Sequence, residues 1–308
     1  MKHCCVIGAH VVERLVAGGR RVTVIGRSPA PSCVLPQGVC YIAGDYGGQA
    51  FLSSALQGVD EIINLAYCTV PGTSFDDPVQ DILQNLPAAI RLLEVASELA
   101  IQKVIIVSSG GTVYGPAQSL PITESHPTNP ISPYGVTKLA MEKYGLMFSK
   151  LKALPVVVVR PSNAFGEGQK PFRGQGFIST AIVSILEGKE IILYGEAGTI
   201  RDYIYVTDVA CGIVAALECG TPGSCYNIGS GVGRSNQDVL DAIYPFAKSV
   251  GLEPKVKMFP SRGFDVSVNV LDGEKAKSET GWKVVVPFSE GIERIWTWFY
   301  RRAGARQK

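Results

Sequence analysis

Metal-ligand spacing is missing from this sequence. There is no C-x-x-C, and the three histidines lie far apart, so no zinc site or other metal centre is expected. The eight cysteines, Cys4, Cys5, Cys33, Cys40, Cys68, Cys211, Cys219 and Cys225, show no paired spacing. They read as reduced side chains of a cytoplasmic protein, not as a disulfide frame. No apolar run approaches the roughly 18 residues that cross a bilayer, so no membrane partner is expected. The start, Met1-Lys2-His3-Cys4-Cys5, has too short an apolar run and no cleavage pattern for a signal peptide. An excess of one charge is lacking as well: 29 Lys and Arg stand against 27 Asp and Glu, a net charge of +2 without a basic stripe. That argues against nucleic acid as a partner. Internal repeats, low-complexity tracts and charged tails are also absent.

What is present is material for a large core. Apolar residues make up 46% of 308 positions and charged residues only 18%, which excludes a disordered chain. Short apolar runs alternate with helical patterns. The runs are Cys4–Ala9, Arg21–Gly26, Val39–Ala43, Glu61–Ala66, Lys103–Ser108 and Pro155–Arg160. Val11–Ala17, Phe51–Leu56, Ile82–Leu99 and Ser132–Lys150 read as helices. Strands apolar throughout, separated by helices, predict an α/β fold: a doubly wound parallel sheet of Rossmann type. After Arg160 the rhythm changes. Asn163–Gly176 reads as a loop, Ile204–Val206 and Tyr226–Ile228 as strands, and Asp208–Leu217, Gln237–Val250 and Ile292–Tyr300 as helices. This predicts a dinucleotide-binding domain over 1–160 and a smaller, mainly substrate-binding C-terminal domain over 161–308, partly interleaved with the first.

A dinucleotide site begins with a strand, a glycine-rich turn and a helix, because glycines let the pyrophosphate approach the backbone at the helix N-terminus. Here the strand and the helix are present, but only Gly8 marks the turn, and Gly8-Ala9-His10 cannot form it. Two readings stand. In the favoured one, a flexible loop of about six residues is absent from the sequence as given; in the other, the protein truly lacks it. The second strand ends in Arg27, where an NAD site usually places an acid. Arg27 suits a 2′-phosphate or a stack on adenine, leaving NAD against NADP open.

The most informative stretch is Ser132-Pro133-Tyr134-Gly135-Val136-Thr137-Lys138. Tyr134 and Lys138 share one face of a helix. A free phenol titrates near pH 10; a neighbouring ammonium stabilises the phenolate and lowers that value. Such a pair takes a proton from a sugar hydroxyl while hydride leaves the same carbon. Upstream, Val107-Ser108-Ser109-Gly110-Gly111-Thr112-Val113-Tyr114-Gly115 ends the fifth run, where a hydroxyl can hold the substrate oxygen.

These motifs, with Asn64-Leu65-Ala66, Asn85, Arg160-Pro161-Ser162-Asn163, Gly198–Val206, Tyr226–Gly231 and Arg262–Val266, give the chain a resemblance along nearly its whole length. It resembles the extended short-chain dehydrogenase/reductase family, in particular nucleotide-sugar 4-epimerases of the UDP-glucose/UDP-N-acetylglucosamine type. The resemblance implies a bound NAD (NADP not excluded) and a UDP-sugar substrate. It makes Tyr134 the acid/base and sets Lys138 on the nicotinamide ribose. It puts Asp45 and Tyr46 at adenine and lines the cofactor channel with Leu65 and Ala66. Gly8, Arg27 and Asn85 complete the implied cofactor set. It gives Asn163 to the sugar nucleotide, Arg201 and Arg262 to the diphosphate, Leu193 and Tyr194 to uracil, and Asp272 to ribose. Guanidinium forks suit phosphate oxygens, which supports the two Arg roles. It also implies a homodimer through Ile82–Leu99 and Ser132–Lys150.

One departure stands out. The usual catalytic Ser/Thr position is Gly110, which leaves Ser109 or Thr112 to supply the hydroxyl. Family dehydratases carry an acidic pair, and decarboxylases a Glu, where this chain has Gly111 and Thr112, and that points to simple oxidation and re-reduction at the 4-position. Asn269, small where some relatives carry an aromatic, leaves room for an N-acetylated sugar. Two alternatives remain: a nucleotide-sugar reductase using NAD(P), and a catalytically impaired dinucleotide-binding regulator or scaffold.

Overall fold

The computed structural model describes residues 6–195, 198–260 and 266–305. The first half runs α1 (Val6–Ala17), β1 (Thr23–Gly26), β2 (Cys40–Ala43), α2 (Gln49–Ala55), β3 (Glu61–Asn64), α3 (Pro78–Glu98), β4 (Lys103–Val107), α4 (Pro133–Lys152) and β5 (Val156–Pro161). There follow β6 (Asn163–Phe165), α5 (Phe177–Leu186), β7 (Glu190–Tyr194), β8 (Ile200–Tyr205), α6 (Val206–Cys219) and β9 (Cys225–Ile228). The chain closes with β10 (Gly233–Arg234), α7 (Asn236–Ser249), β11 (Lys255–Phe259), β12 (Val268–Asn269), α8 (Glu274–Thr280) and α9 (Phe288–Ala305).

The centre is a parallel sheet in the order β3-β4-β5-β9. Its strands are apolar on both faces because helices cover both. Ile105, Val107, Val157 and Val159 meet α6 and Val11 of α1. The alternate residues Val104, Ile106, Val156 and Val158 meet Leu52 of α2, Leu92 and Leu93 of α3 and Phe148 of α4. This is the doubly wound α/β arrangement that the alternating runs predict. At Gly145 of α4 a Cβ would collide with the Ile106 side chain, so glycine there lets helix and sheet approach closely. A separate core joins α5, α7 and α9 to β7 and β8 through Ile182, Leu193, Tyr205, Ile243 and Trp296. Among the described residues no helix is long and apolar enough to cross a membrane.

The start of the chain departs from expectation. Cys4–Ala9 is not a strand where it is described: Val6–Ala17 is one continuous helix that contains Gly8, Ala9 and His10. Ile7, Val11 and Leu15, spaced at four residues, pack into the core beside α6, and that helical stripe prevails because no turn stands between Gly8 and His10 to end a strand. With Ala9 and His10 consecutive within α1, the chain as given forms no glycine-rich turn between them. The consequence is a sheet in two parts. Among the described residues β1 pairs with β2 alone and β3 pairs only with β4. β1 still lies alongside β3: Arg20, before β1, pairs with Glu61 at the start of β3, and Arg27, after β1, reaches Cys68 beyond the end of β3.

Further on, Asn163–Gly176 is not loop throughout, because β6 pairs with β8 in the register Asn163↔Tyr203. Helix α5 and the parallel pair β7–β11 were not foreseen. β11 is exposed along its length and carries no burial signal to read.

One buried ion pair joins α4 to the sheet. Arg160 Nη2 donates to Glu142 Oε2 at 2.5 Å, with both side chains buried. Ser108 also donates to Glu142. Arg160 Nη1 donates to Tyr114 at 2.9 Å, and Tyr114 in turn donates to Asn227 Oδ1 at 2.7 Å. Burial works against the guanidinium's charge, but Glu142 outweighs it and raises the Arg160 pKa above its ordinary value. Arg160→Met strands the Glu142 carboxylate in the core and is expected to cost about 3–5 kcal/mol, read by urea denaturation. A loss under about 1 kcal/mol would disprove the buried pair. In hydrogen exchange, Thr23–Gly26 and Glu61–Asn64 are expected to show less protection than Val104–Val107 and Val156–Val159. Equal protection would mean that the division of the sheet closes in solution.

Candidate active site

The site gathers beyond the carboxyl ends of the parallel strands, where open α/β sheets place their ligands. Ser132 starts α4 by accepting the Gly135 N–H at 3.1 Å, with Pro133 in the first turn, a pairing of cap and proline that fixes the helix start. Tyr134 and Lys138 follow on adjacent turns, and Glu142 extends the same face to the Arg160 pair. The Tyr134 backbone N–H donates to Ser74 Oγ at 3.2 Å, which ties the helix start to the short 3-10 turn Thr73–Phe75. Lys138 is only 4% exposed. Its Nζ donates to the Val107 carbonyl at 2.9 Å, at the end of β4. It also sits 4.2 Å from the centre of the Tyr67 ring and 5.8 Å from that of Tyr134. The two tyrosine rings meet edge to face at 4.7 Å. The two residues of the expected Tyr–Lys pair thus lie on one face of α4, with the ammonium closer to the Tyr67 ring than to the Tyr134 ring.

After β4 the backbone turns tightly through Ser109. The Ser109 carbonyl accepts the N–H groups of Thr112 and Val113 at 3.2 and 3.1 Å, and the Thr112 hydroxyl leans on it at 3.5 Å. Gly110 has no space for a side chain. A Cβ there would collide with Leu271 and stand 3.0 Å from the Arg160 carbonyl oxygen. The missing hydroxyl at this position is thus built into the packing. Nearby, Asn269 donates to the Gly110 carbonyl at 3.0 Å, while its own Oδ1 and the Ser162 hydroxyl are buried without hydrogen-bond partners among the described residues.

At the ends of β1 and β2, Asp45 accepts the Gly47 N–H at 3.0 Å. Tyr46 packs into the core, its hydroxyl buried and, among the described residues, unpartnered. Burial, reinforced by Cys68, pushes that phenol up to about 12. Arg27 is exposed and donates to Cys68 Sγ at 3.0 Å. Leu65 is half-buried and Ala66 exposed at the end of β3. Gly8 lies inside α1, away from any turn. Asn85 does not face a cleft: its Oδ1 accepts the Cys68 N–H at 2.8 Å and its Nδ2 donates to the Asp81 carbonyl at 2.7 Å. It fastens the segment after β3 to α3.

On the substrate side, Asn163 opens β6, and its Oδ1 lies against Gly111. Arg201 is half-buried on β8 and donates to the Ile200 carbonyl at 2.9 Å. Asp202 is an anchor: its buried carboxylate accepts from Ser230, Gly231 and Leu271. Leu193 is fully buried in the second core, so its side chain is packing and not a ligand contact. Tyr194 lies at the rim beside Phe259, their ring centres 6.1 Å apart. Asp272 accepts the Glu274 N–H at 2.8 Å at the start of α8. Arg262 lies outside the described residues. Three residues escaped the sequence reading. β10 sets Arg234 opposite Arg201, signalled only by an Arg just after the Tyr226–Gly231 motif. Tyr67 and Asp81 complete the surroundings of Lys138, and the cue for them was an aromatic directly after Asn64-Leu65-Ala66.

Comparison with known proteins agrees with this geometry. Residues 5–229 match the family described as "NAD dependent epimerase/dehydratase family". The chain is 32% identical to the UDP-glucose 4-epimerase of Lacticaseibacillus casei, over 95% of this chain and 93% of that protein. A crystal structure of the UDP-glucose 4-epimerase of Thermotoga maritima with UDP-glucose superposes with a TM-score of 0.89 at 28% identity, covering 96% of both chains. The UDP-glucose 4-epimerase of Thermus thermophilus, crystallised in complex with NAD, gives 0.87 at 30% identity, again over 96% of both. A buried lysine against paired tyrosines at the end of a parallel strand, on a doubly wound sheet and with relatives over nearly the full length, places this chain in the NAD dependent epimerase/dehydratase family.

Proposed function

We propose that the chain is a UDP-hexose 4-epimerase that uses NAD and interconverts the glucose and galactose forms or their N-acetylated counterparts. The observation that carries this reading is Lys138 seated between the Val107 carbonyl and the Tyr67 ring, close to the Tyr134 ring, on a chain whose Gly111 and Thr112 supply no acid for elimination. Relatives named UDP-glucose 4-epimerase, spanning 95% of this chain, support it. These relatives do not favour the alternatives, a single-step reductase or an impaired regulator.

The residues fit the two ends of the dinucleotide. Lys138 and Tyr134 suit the nicotinamide ribose. The unpartnered Tyr46 hydroxyl, with Asp45, Arg27, Leu65 and Ala66, suits the adenosine end. They do not fit its middle, because Gly8 is inside a helix and, among the described residues, no glycine-rich turn leads into α1 to hold a pyrophosphate. When bound, NAD supplies a hydride acceptor that later gives the hydride back. The chain's own part is proton handling and positioning. The Lys138 ammonium lowers the cost of a phenolate on Tyr134. Tyr134 then takes the proton of the sugar's 4-hydroxyl and afterwards returns it, so the net change in protons is zero. With Gly110 bare, Ser109 and Thr112 are the hydroxyls proposed to share that proton. Arg201 and Arg262 are assigned to the diphosphate, Asn163 to the sugar nucleotide, Tyr194 to uracil and Asp272 to ribose. Residues 1–160 form the proposed dinucleotide-binding part, and 161–308 mainly the substrate-binding part.

A homodimer is proposed through α3 and α4, whose outer faces expose Val79, Ile82, Leu83, Val136, Met147 and Leu151. An exposed apolar patch of this kind calls for a partner. The free cysteines suit a cytoplasmic setting.

Incubation with UDP-glucose and with UDP-N-acetylglucosamine, followed by NMR of the 4-epimers, tests the activity. Tyr134→Phe is expected to lower kcat by roughly 10²–10⁴-fold while UDP affinity, read by calorimetry, is retained. Wild-type turnover by that variant would remove Tyr134 from its role.

A further inference from the structure

Behind the Tyr134–Lys138 pair lies a second polar cluster that the proposed proton transfer does not use. Asp81, in the first turn of α3, is fully buried. Three hydroxyls donate to its carboxylate: Tyr67 at 3.1 and 3.3 Å to its two oxygens, Thr137 at 2.6 Å, and Thr69. They come from two other segments, the stretch after β3 and α4, so the carboxylate joins three elements at one point. A buried carboxylate ordinarily takes a cation as its partner. Among the described residues Asp81 has no ion pair. The positive charge next to this cluster is Lys138, which meets it through the Tyr67 ring, 4.2 Å below its ammonium. Tyr67 also reaches the Tyr134 carbonyl oxygen at 3.5 Å, and its ring abuts that of Tyr134.

We propose that Tyr67 and Asp81 are positioning residues for the acid–base pair: Asp81 holds the Tyr67 hydroxyl, and the Tyr67 ring face holds the Lys138 ammonium at the place from which it acts on Tyr134. The inference rests on the acid–base reading of Tyr134. A phenol that donates to a carboxylate carries more electron density in its ring, and a ring face attracts a cation through that density. The seat therefore has two parts, a carbonyl at the end of β4 and an aromatic face braced by α3. Burial first, and the Asp81 charge next, raise the Tyr67 pKa far above the usual phenol range, so Tyr67 keeps its proton and remains the donor to Asp81. Among the described residues, the titratable groups around Tyr134 and Lys138 include Tyr67, from the segment after β3, Asp81, from α3, and Glu142, the next residue on the same face of α4, itself paired with Arg160. The 3-10 turn brings the Ser74 hydroxyl, α4 the Thr137 hydroxyl, and β4 the Val107 carbonyl.

The sign of the effect follows. An ammonium that drifts from its seat stabilises the Tyr134 phenolate less, so the Tyr134 pKa rises. Replacing the ring, Tyr67→Leu, is expected to move the acid limb of the kcat–pH profile upward by about one unit. Tyr67→Phe keeps the face and loses the brace, as does Asp81→Asn, and each is expected to give a smaller shift in the same direction. A purely structural role would lower the thermal transition or the active fraction and leave the limb in place. Tyrosinate absorbance, read as the difference between each protein and its Tyr134→Phe counterpart, follows the same ionisation without turnover. It therefore separates failure of this proposal from failure of the epimerase reading. If Tyr67→Leu is too unstable to study, the near-isosteric Tyr67→Phe and Asp81→Asn carry the test. Wild-type Tyr134 titration in all the variants that fold would overturn the proposal.

Discussion

The rotation of one helix about its axis governs this site. Tyr134, Lys138 and Glu142 fall on successive turns of α4; the last two are held from the sheet side and the helix start from the 3-10 turn. Glu142 is locked by Arg160 and Ser108, Lys138 by the Val107 carbonyl, and the start of the helix by Ser74. A buried ion pair gains little stability over a good apolar contact, because desolvation offsets the attraction. What it does impose is geometry: an unpaired Glu142 is so costly that α4 cannot turn or slide without breaking the pair. Tyr134, the proposed acid/base, and Lys138 take their orientation from a contact two turns and one turn away, respectively.

The same economy of position explains Gly110. Elsewhere in the family a hydroxyl is expected there, yet this chain fills the space with Leu271, from the segment after β12, and binds the Gly110 carbonyl with Asn269. The second half of the chain thus closes directly over the end of β4. β9 returns to the central sheet beside β5, so parts of the chain far apart in sequence meet at the carboxyl ends of the same strands. Two polar atoms in that region, Asn269 Oδ1 and Ser162 Oγ, are buried without hydrogen-bond partners among the described residues.

The dinucleotide side is less complete. A parallel sheet gains from continuity, since every inner strand satisfies its neighbours' backbone groups. Here β1–β2 and β3-β4-β5-β9 lie side by side as two sheets. Arg20–Glu61 and Arg27–Cys68 tie them at their ends, and Ile25 joins the core under α2 and α3. The first helix occupies its place on α6, but the strand and turn that should lead into it do not form where the chain is described.

Much of this was legible in the residues. β4 and β5 announced themselves as unbroken runs of Val and Ile, because burial on both faces removes the polar alternation. Helix α4 announced itself through Ser132-Pro133 and the four-residue step from Tyr134 to Lys138, since capping and periodicity are local. What stayed hidden depended on contacts distant in sequence. Val6–Gly8 suits strand or helix equally, and only the stripe Ile7–Val11–Leu15 against α6 decided for helix. Asn85 and Leu193 carried the chemistry expected of ligand contacts, yet packing turned the one to a backbone clamp and the other into a core. Asp81 and Tyr67, fourteen positions apart, gave no local pattern. Residue identity and spacing determined which chemistry the chain carries, because proton affinity and helical phase are properties of short segments. Which groups meet, and which cation faces which ring, was decided by the tertiary structure, because burial and long-range pairing set those distances.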